Sequence, residues 1–340
     1  MSAFSLQQRQ EVHRAALRLK AEVVHTPLLC SPILDRLCGG RVWIKAECLQ
    51  TGGSFKYRGA MNKLLQLGPL LQTKPQNARH VVAYSSGNHA IALACAAARL
   101  DCKATLVMPA DAPAIKMERV RAEGGSIEFY DRKTDDRVAR AQLLGQRLGA
   151  PVIPSYDDPD IILGQATLVL EMLQEARQRG VELDDVLVPC GGGGLLAGAV
   201  LAAAALSSTA RIYAVEPAGF DDMARSITSG RRESNTRRSG SICDSLLIDC
   251  PGELTFPIIA GGAHGGVAVG DDEVAQATRF AFRNLKLVVE PGGAVALAAV
   301  LAGRLELEGR SVGLVLSGGN VDHQLFGSII GNEPAAEAAA

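Results

Sequence analysis

A lysine that follows a glycine turn is the first residue of this sequence that could do chemistry. Lys56 ends the run Gly52-Gly53-Ser54-Phe55-Lys56, and an apolar helical pattern over residues 60–67 follows it. A lysine buried at such a turn, beside the aromatic Phe55, would have a lowered pKa and would attack a carbonyl carbon as a neutral amine. The run therefore predicts a Schiff-base nucleophile, although a surface lysine after a flexible turn has the same local sequence.

A second run, Gly191-Gly192-Gly193-Gly194-Leu195, offers a place for a phosphate group. Successive glycines let main-chain amides approach an anion with no Cβ in the way. A nicotinamide dinucleotide is the main alternative ligand, because Glu216 follows about 20 residues later, where a ribose-binding acid would lie. The run departs from the usual G-x-G-x-x-G spacing, however, and a nicotinamide site would leave Lys56 unused.

Two further polar turns follow predicted strands. Ser85-Ser86-Gly87-Asn88-His89 opens a predicted helix, where main-chain amides and hydroxyl groups suit a carboxylate. Ser86 or Asn88 would serve equally well as a simple helix cap. Ser317-Gly318-Gly319-Asn320 follows an apolar strand, and a hydroxyl there could reach a ring nitrogen of a ligand bound at the carboxyl edge of the sheet.

These turns belong to a predicted series of alternating strands and helices. In the first part, strands at 81–84, 104–108 and 126–130 alternate with helices at 88–99, 113–122 and 134–148. In the second part, strands at 185–189 and 211–215 alternate with helices at 160–179 and 194–206. Such alternation predicts parallel sheets, and hence an α/β fold with two doubly wound open-sheet domains. The proline-containing stretch 152–159 is the predicted crossing between them.

Composition and charge exclude several other classes of protein. The 340 residues include 35 Lys and Arg against 36 Asp and Glu, so no basic field is available for nucleic acid. No apolar run reaches the roughly 18 residues that span a bilayer. The eight cysteines contain no Cys-x-x-Cys pair and indicate reduced thiols, and residues 1–20 predict an amphipathic helix rather than a signal peptide. The predicted location is the cytoplasm.

In this order and at these separations, the runs resemble the serine/threonine dehydratase and serine racemase family of fold type II pyridoxal 5′-phosphate (PLP) enzymes, related to the tryptophan synthase β subunit. The resemblance extends from His25-Thr26-Pro27-Leu28 to the end of the run Ser317-Gly318-Gly319-Asn320-Val321-Asp322. It implies that Lys56 holds PLP as a Schiff base and moves the Cα proton, and that Phe55 packs on the pyridine ring. By the same resemblance, Asn88 would contact the 3′ oxygen of the cofactor and Ser317 its pyridine nitrogen. The cofactor phosphate would be bound by Gly191, Gly192, Gly193, Gly194 and Leu195. The substrate carboxylate would be bound by Ser85, Ser86, Asn88 and His89.

The resemblance also implies a domain organisation. Residues 1–68 together with 155–328 would form a large PLP-binding domain, residues 69–154 a small substrate-clamping domain, and residues 329–340 a disordered tail. Because the chain ends soon after Asn320, the regulatory domain of biosynthetic threonine deaminases is expected to be absent. A homodimer is expected by the same resemblance.

A divalent cation is a further expectation. The run Glu216-Pro217-Ala218-Gly219-Phe220-Asp221-Asp222 resembles a cation loop found in part of this family. The carboxylates of Glu216 and Asp222 and the carbonyl of Phe220 would offer hard oxygen ligands suited to Mg²⁺ or Ca²⁺. The alternative is that Asp221 and Asp222 merely begin a helix.

The implied reaction converts L-threonine, L-serine or a related 3-hydroxy amino acid to a 2-oxo acid and ammonia. Three alternatives stay open: a serine or aspartate-type racemase with side dehydratase activity, a 3-hydroxyaspartate dehydratase, and a catalytically silent PLP-binding protein. Ser86 keeps the racemase open, since racemases of this family carry a serine there on the cofactor face opposite the lysine. The arginine-rich segment 230–240 predicts a solvated surface loop.

Overall fold

The structure, a computed structural model, describes residues 4–85, 87–112, 114–131 and 133–331 of the chain. Within these ranges the strands are β1 (Leu28–Cys30), β2 (Arg41–Ala46), β3 (His80–Tyr84), β4 (Lys103–Pro109), β5 (Ser126–Tyr130), β6 (Asp185–Pro189), β7 (Arg211–Pro217), β8 (Gly265–Val269) and β9 (Ser311–Leu316). They form two open sheets, a larger one in the order β1-β2-β9-β6-β7-β8 and a smaller one in the order β3-β4-β5. Only the pairing of β1 with β2 is antiparallel among these strands.

The helices connect and cover the two sheets. They are α1 (Leu6–Leu19), α2 (Pro32–Cys38), α3 (Lys56–Gln72), α4 (Asn88–Arg99), α5 (Ala114–Ala122), α6 (Arg137–Leu148), α7 (Pro159–Gln178), α8 (Gly194–Ala205), α9 (Asp222–Ser229), α10 (Thr255–Ala260), α11 (Asp271–Phe280), α12 (Pro291–Leu301) and α13 (His323–Gly331). None of these described helices is both long and apolar enough to cross a membrane.

The larger sheet is buried on both faces, as expected for parallel strands. Successive side chains of a strand point to opposite faces, and on β2 Trp43 packs into one core while Val42 and Ile44 pack into the other. The first core also contains residues of α1, α7, α8 and α10, and the second contains residues of α2, α11 and α12. Because both faces are covered, a ligand is expected to reach this sheet at the carboxyl ends of its parallel strands.

The smaller sheet is built in the same way. Residues of α3 and α4 pack on one face, and residues of α6 pack on the other. Val152 forms a parallel bridge with Val82 at the edge of this sheet before the chain continues to α7. The predicted crossing stretch therefore leaves the smaller sheet at Val152 and reaches helix α7 at Pro159.

The fold is the α/β class with two open sheets that the sequence predicted. Strands β5 and β6 and helix α4 have the predicted bounds. Helix α6 begins at Arg137 rather than at residue 134, because the Asp136 side chain caps it by accepting from the main-chain N–H groups of Val138 and Ala139. The domain boundaries after residues 68 and 154 stay a prediction. Residues 332–340 of the predicted tail lie outside the described residues.

Candidate active site

The polar turns that follow three strand ends line one cavity. Strands β3 and β9 end immediately before the serine-rich turn and Ser317, and β6 ends one residue before the glycine run. The cavity has a volume of about 170 Å³. The predicted site residues in its wall are Phe55, Lys56, Ser85, Asn88, His89, Gly191, Gly192, Gly193, Gly194, Leu195 and Ser317. Ser86 lies outside the described residues, so its predicted contacts stay a prediction.

Lys56 lies in the first turn of α3, and the chain before it is tied to the end of β9. Gly52 and Gly53 have φ angles of 71° and 74°, the left-handed region that glycine adopts without a steric penalty. The main-chain N–H of Phe55 donates to the carbonyl of Ser317 at 3.1 Å, and that of Gly319 donates to the carbonyl of Gly53 at 2.9 Å. These bonds join the turn before Lys56 to the segment that carries Ser317.

The Lys56 amine has few polar neighbours. Its Nζ donates to the main-chain oxygen of Ser155 at 3.0 Å and lies 4.9 Å from the centroid of the Phe55 ring. Burial lowers the pKa of Lys56 to about 8. A substantial share of this amine is therefore neutral near physiological pH, as attack on a carbonyl carbon requires.

The glycine run has no room for side chains. A Cβ added to Gly192 would lie 2.4 Å from the ring of Tyr156, and one added to Gly194 would lie 2.6 Å from Oε1 of Gln165. The carbonyl of Gly192 accepts from Thr255 Oγ1 at 2.7 Å, which fixes the loop from outside. At the start of α8, main-chain amides of such a loop and the helix dipole favour an anion, so the cradle fits a phosphate group.

Asn88 and Ser317 complete the wall of the cavity. Ser317 is 5% exposed and follows the last residue of β9. The Asn88 amide donates through Nδ2 to Oε1 of Glu290 at 2.5 Å and accepts at Oδ1 from Asn320 Nδ2 at 2.9 Å. Glu290 was not predicted from the sequence. The signal that could have found it is its position before Pro291-Gly292-Gly293 at the start of α12, another polar turn rich in glycine.

The side chain of His89 is poorly suited to act as a proton donor. Its ring is 2% exposed, and Nε2 lies 3.1 Å from the carbonyl of Ile153. Burial, with the nearby Lys56 amine, lowers the pKa of His89 to about 4. The ring is therefore neutral at physiological pH, and what His89 can offer an anionic ligand is its main-chain N–H.

The predicted cation loop leads into α9, whose Met223 side chain packs against Gly193 of the glycine run. Both carboxylate oxygens of Glu216 accept from main-chain N–H groups, of Met223 at 3.0 Å and of Ala224 at 2.8 Å. Asp222 Oδ1 accepts from Asn235 at 2.5 Å, whereas its buried Oδ2 has no partner among the described residues. Burial, with the Asp222 charge, holds the pKa of Glu216 well above its usual range, and burial raises the pKa of Asp222 to about 6.

The oxygen set around this loop is small. Asp222 begins α9, as the alternative from the sequence expected, and Phe220 is buried. In the described ranges no group of three or more His, Cys, Asp or Glu side chains could hold a metal ion. Asn235 belongs to the arginine-rich segment to which the sequence assigned no role, and its contact with Asp222 joins that loop to the predicted cation site.

Two charged residues in the cavity wall were not predicted from the sequence. Arg137 begins α6, and its guanidinium carbon lies 5.9 Å from the centroid of the Tyr84 ring. Asp244 also lines the cavity and pairs with Lys116 of α5. Both come from segments with no recognisable motif, and only the packing of distant chain segments brings them to the cavity.

A buried lysine with a lowered pKa lines one cavity with a phosphate cradle at the carboxyl edge of a sheet. This combination in an α/β fold is typical of enzymes that bind a phosphorylated aldehyde cofactor covalently. The family model described as "Pyridoxal-phosphate dependent enzyme" matches residues 19–318. The chain therefore belongs to this PLP-dependent family, and the residues of its cavity fit the cofactor.

Similar proteins include lyases and racemases. The chain is 39% identical over 320 residues to the L-threo-3-hydroxyaspartate ammonia-lyase of Pseudomonas sp, covering 94% of this chain and 97% of the relative. It is 40% identical to the threonine deaminase of T.th., whose crystal structure matches with a TM-score of 0.83 and coverage of 92% and 98%. The structure of maize serine racemase has 34% identity, a TM-score of 0.86 and coverage of 94% and 96%.

Proposed function

We propose that this chain is an ammonia-lyase that uses PLP on Lys56 to remove the β-hydroxyl of a 3-hydroxy amino acid, releasing a 2-oxo acid and ammonia. The observation that carries the proposal is a lysine amine with a lowered pKa in one cavity with the glycine run and Ser317. The similarity to two ammonia-lyase types, one for L-threo-3-hydroxyaspartate and one for L-threonine, supports the reaction class.

The proposed roles of the residues follow from their positions. PLP, when bound, supplies the electron-withdrawing ring that loosens the Cα–H bond and lets a β-substituent leave. Lys56 holds the cofactor and then removes the Cα proton, while Phe55 packs on the ring. Gly191, Gly192, Gly193, Gly194 and Leu195 bind the phosphate through main-chain amides. Ser317 offers the ring nitrogen a neutral hydroxyl, which, unlike a carboxylate, does not keep that nitrogen protonated and so favours loss of the β-substituent.

The substrate carboxylate is proposed to bind at the start of α4. Ser85, with the main-chain amides of residues 86–89, would clamp it, and Asn88 would bind the 3′ oxygen of the cofactor. Exposed amides at a helix N-terminus and the positive end of the helix dipole favour a carboxylate there. Ser86 is proposed as the group on the cofactor face opposite Lys56.

Arg137 supports a substrate with a second carboxylate. The side chain is exposed in the cavity wall, and no described carboxylate forms an ion pair with it. An arginine offers a carboxylate two parallel hydrogen bonds. We therefore propose 3-hydroxyaspartate as the preferred substrate, with threonine and serine as poorer ones that cannot use this contact.

Racemisation is the second candidate function. Ser86 in the sequence and the similarity to serine racemases favour it. Inversion needs acids poised on both faces of Cα, whereas elimination needs only the lysine and a good leaving-group geometry. We therefore rank elimination first.

A divalent cation is proposed to order the loop around Glu216, Phe220 and Asp222 without taking part in the chemistry. The buried, unpartnered oxygen of Asp222 supports this, because a hard cation would offset the cost of burying two neighbouring carboxylates. We also propose two domains with boundaries after residues 68 and 154, and a cytoplasmic location. We propose a homodimer as well, and light scattering would measure its mass.

A substrate panel tests the proposed reaction. The purified protein is given L- and D-serine, L-threonine and both diastereomers of 3-hydroxyaspartate, with and without Mg²⁺, and both oxo acid and inverted amino acid are measured. We expect oxo acid from a 3-hydroxyaspartate diastereomer as the main product. We also expect Mg²⁺ to raise the thermal stability of the protein, which a thermal melt measures. Dominant inversion with little oxo acid would overturn the ranking.

Substitution of Arg137 tests the proposed substrate. Arg137→Gln should lower kcat/KM for 3-hydroxyaspartate by roughly 10- to 100-fold, the effect of losing a charge-assisted hydrogen bond, with little change for serine. Arg140→Gln is the matched control, because Arg140 lies on the same helix but pairs with Asp135 and Glu128. Equal losses for both substrates in Arg137→Gln would contradict the assignment.

A further inference from the structure

A chain of directed hydrogen bonds passes through the Asn88 amide. Asn320 Nδ2 donates to the main-chain oxygen of Gly52 at 2.8 Å and to Oδ1 of Asn88 at 2.9 Å. Asn88 Nδ2 then donates to Oε1 of Glu290 at 2.5 Å. Asn88 and Glu290 are 202 positions apart in the chain, so this contact depends on the tertiary fold.

The groups at the two ends of this series of hydrogen bonds fix its direction. The main-chain oxygen of Gly52 can only accept, so the amide nitrogen of Asn320 must face it. Oε1 of Glu290 accepts whether the carboxyl group is ionised or carries its proton on the other oxygen. A reversed Asn88 amide would place its NH₂ group against that of Asn320, losing the bond between them whatever the protonation of Glu290, and would place Oδ1 against Oε1 of an ionised Glu290. Only one orientation of Asn88 is therefore compatible with its neighbours.

The surroundings of Glu290 indicate that this contact is specific. The residue is 3% exposed, and its main-chain N–H donates to the carbonyl of Gly318 at 3.0 Å. A Cβ on Gly318 would lie 2.2 Å from Oε1 of Glu290, so the carboxyl group packs directly on the turn that follows Ser317. Burial, together with the charge of Asp244, raises the pKa of Glu290 to about 7. Burying a carboxyl group is costly, and a single well-formed contact with Asn88 offsets only part of that cost.

We propose that Glu290 is a positioning residue that, with Asn320, holds the Asn88 amide so that its nitrogen and not its oxygen faces the cavity. Asn88 Nδ2 has two hydrogens, and Glu290 takes one of them, which leaves the second for a ligand in the cavity that Asn88 lines. A phenolic oxygen, which is anionic in bound PLP, needs such a donor. This inference deepens the proposed function and rests on it for the identity of that ligand.

The orientation of Asn88 can be measured without any cofactor. In ¹⁵N-labelled cofactor-free protein, the Asn88 side-chain proton bound to Glu290 should exchange with solvent at least about tenfold more slowly than in Glu290→Met. Glu290→Gln is the matched control, since its Oε1 can accept the same bond and should keep the protection. Asn320→Ala removes the hydrogen bond to Oδ1 of Asn88 and should speed exchange of the Asn88 side-chain proton as Glu290→Met does.

A second readout follows the cofactor. With PLP added, Glu290→Met and Asn88→Ala should each weaken PLP binding roughly tenfold and shift the visible absorption band, and the double variant should lose no more than either single one. Additive losses, or unchanged Asn88 exchange in both Glu290→Met and Asn320→Ala, would overturn the inference. Failure of the wild-type protein to bind PLP would instead overturn the proposed function, while the exchange measurement would still judge the orientation of Asn88.

Discussion

The Lys56 amine is the residue on which the rest of the site depends. Its surroundings contain the Phe55 ring and one main-chain oxygen but no carboxylate in direct contact among the described residues. Burial therefore acts on the charged amine with little compensation and lowers its pKa to about 8. A lysine that paired with a carboxylate would have stayed protonated and would have been unable to bind an aldehyde.

The uptake of PLP by cofactor-free protein should depend on pH in a way that reports this shift. Only the neutral amine reacts, so the rate should rise about tenfold per pH unit below pH 8 and level off above it. A lysine at the ordinary value of 10.5 would let the rise continue by more than two further pH units. Stopped-flow absorbance between pH 6 and 10 measures this, and a rate still climbing at pH 10 would contradict the burial of Lys56.

Short motifs made some site residues predictable and left others invisible. Lys56 and the run from Gly191 to Leu195 were predictable because their chemistry depends on residues next to each other in the chain. Glu290 and Arg137 were not, because Glu290 meets Asn88, and Arg137 meets the cavity, only after distant segments pack together. The arginine-rich loop gave no sign that Asn235 would contact Asp222 for the same reason.

Helix α3 is anchored by a buried network of charges two residues after Lys56. The Arg58 guanidinium is fully buried and donates to both carboxylate oxygens of Glu47 and of Glu171. Lys45 of β2, also fully buried, donates to Glu171 at 2.8 Å. The network joins α3 to β2 and α7, so it fixes the first turn of the helix that carries Lys56.

Removal of the Arg58 charge should be strongly destabilising. Arg58→Met leaves the buried carboxylate of Glu47 without its cation and Glu171 with Lys45 alone, which should lower the free energy of unfolding by about 3–5 kcal/mol. Urea unfolding of the cofactor-free protein measures this. Arg14→Met is the control, because Arg14 pairs with Glu11 on the exposed face of α1 and should change stability little. Similar stabilities for the two variants would show that the network does not anchor α3.

The elements were predictable where pattern and caps agree, and less so where packing decides. Helix α4 and strands β5 and β6 stand at their predicted residues because apolar periodicity defines them. Strand β1 was not predicted, because its three residues form a strand only by pairing with β2. Lys45 and Arg58 lie in the interior, where charged residues are rarely found. The sequence did not predict their burial, because their partner Glu171 is more than 100 positions away.

The candidate active-site cavity is lined by segments that belong to both sheets. The smaller sheet and its helices contribute Ser85, Asn88 and Arg137, and the larger sheet contributes the glycine run and Ser317. The ion pair between Lys116 and Asp244 connects the two sides beside the cavity. In the proposed roles, the phosphate and ring-nitrogen contacts come from the larger sheet, whereas the substrate contacts come from segments of the smaller one, so the cofactor motifs alone do not predict substrate preference.

Trapping of the cofactor tests the assignment of Lys56 most directly. The protein is incubated with PLP, reduced with borohydride, digested and analysed by mass spectrometry, with Lys56→Ala treated in parallel. We predict a phosphopyridoxyl group on Lys56 in the wild-type protein and no labelled lysine in the variant. Equal labelling of both proteins, or label on lysines other than Lys56, would contradict the assignment.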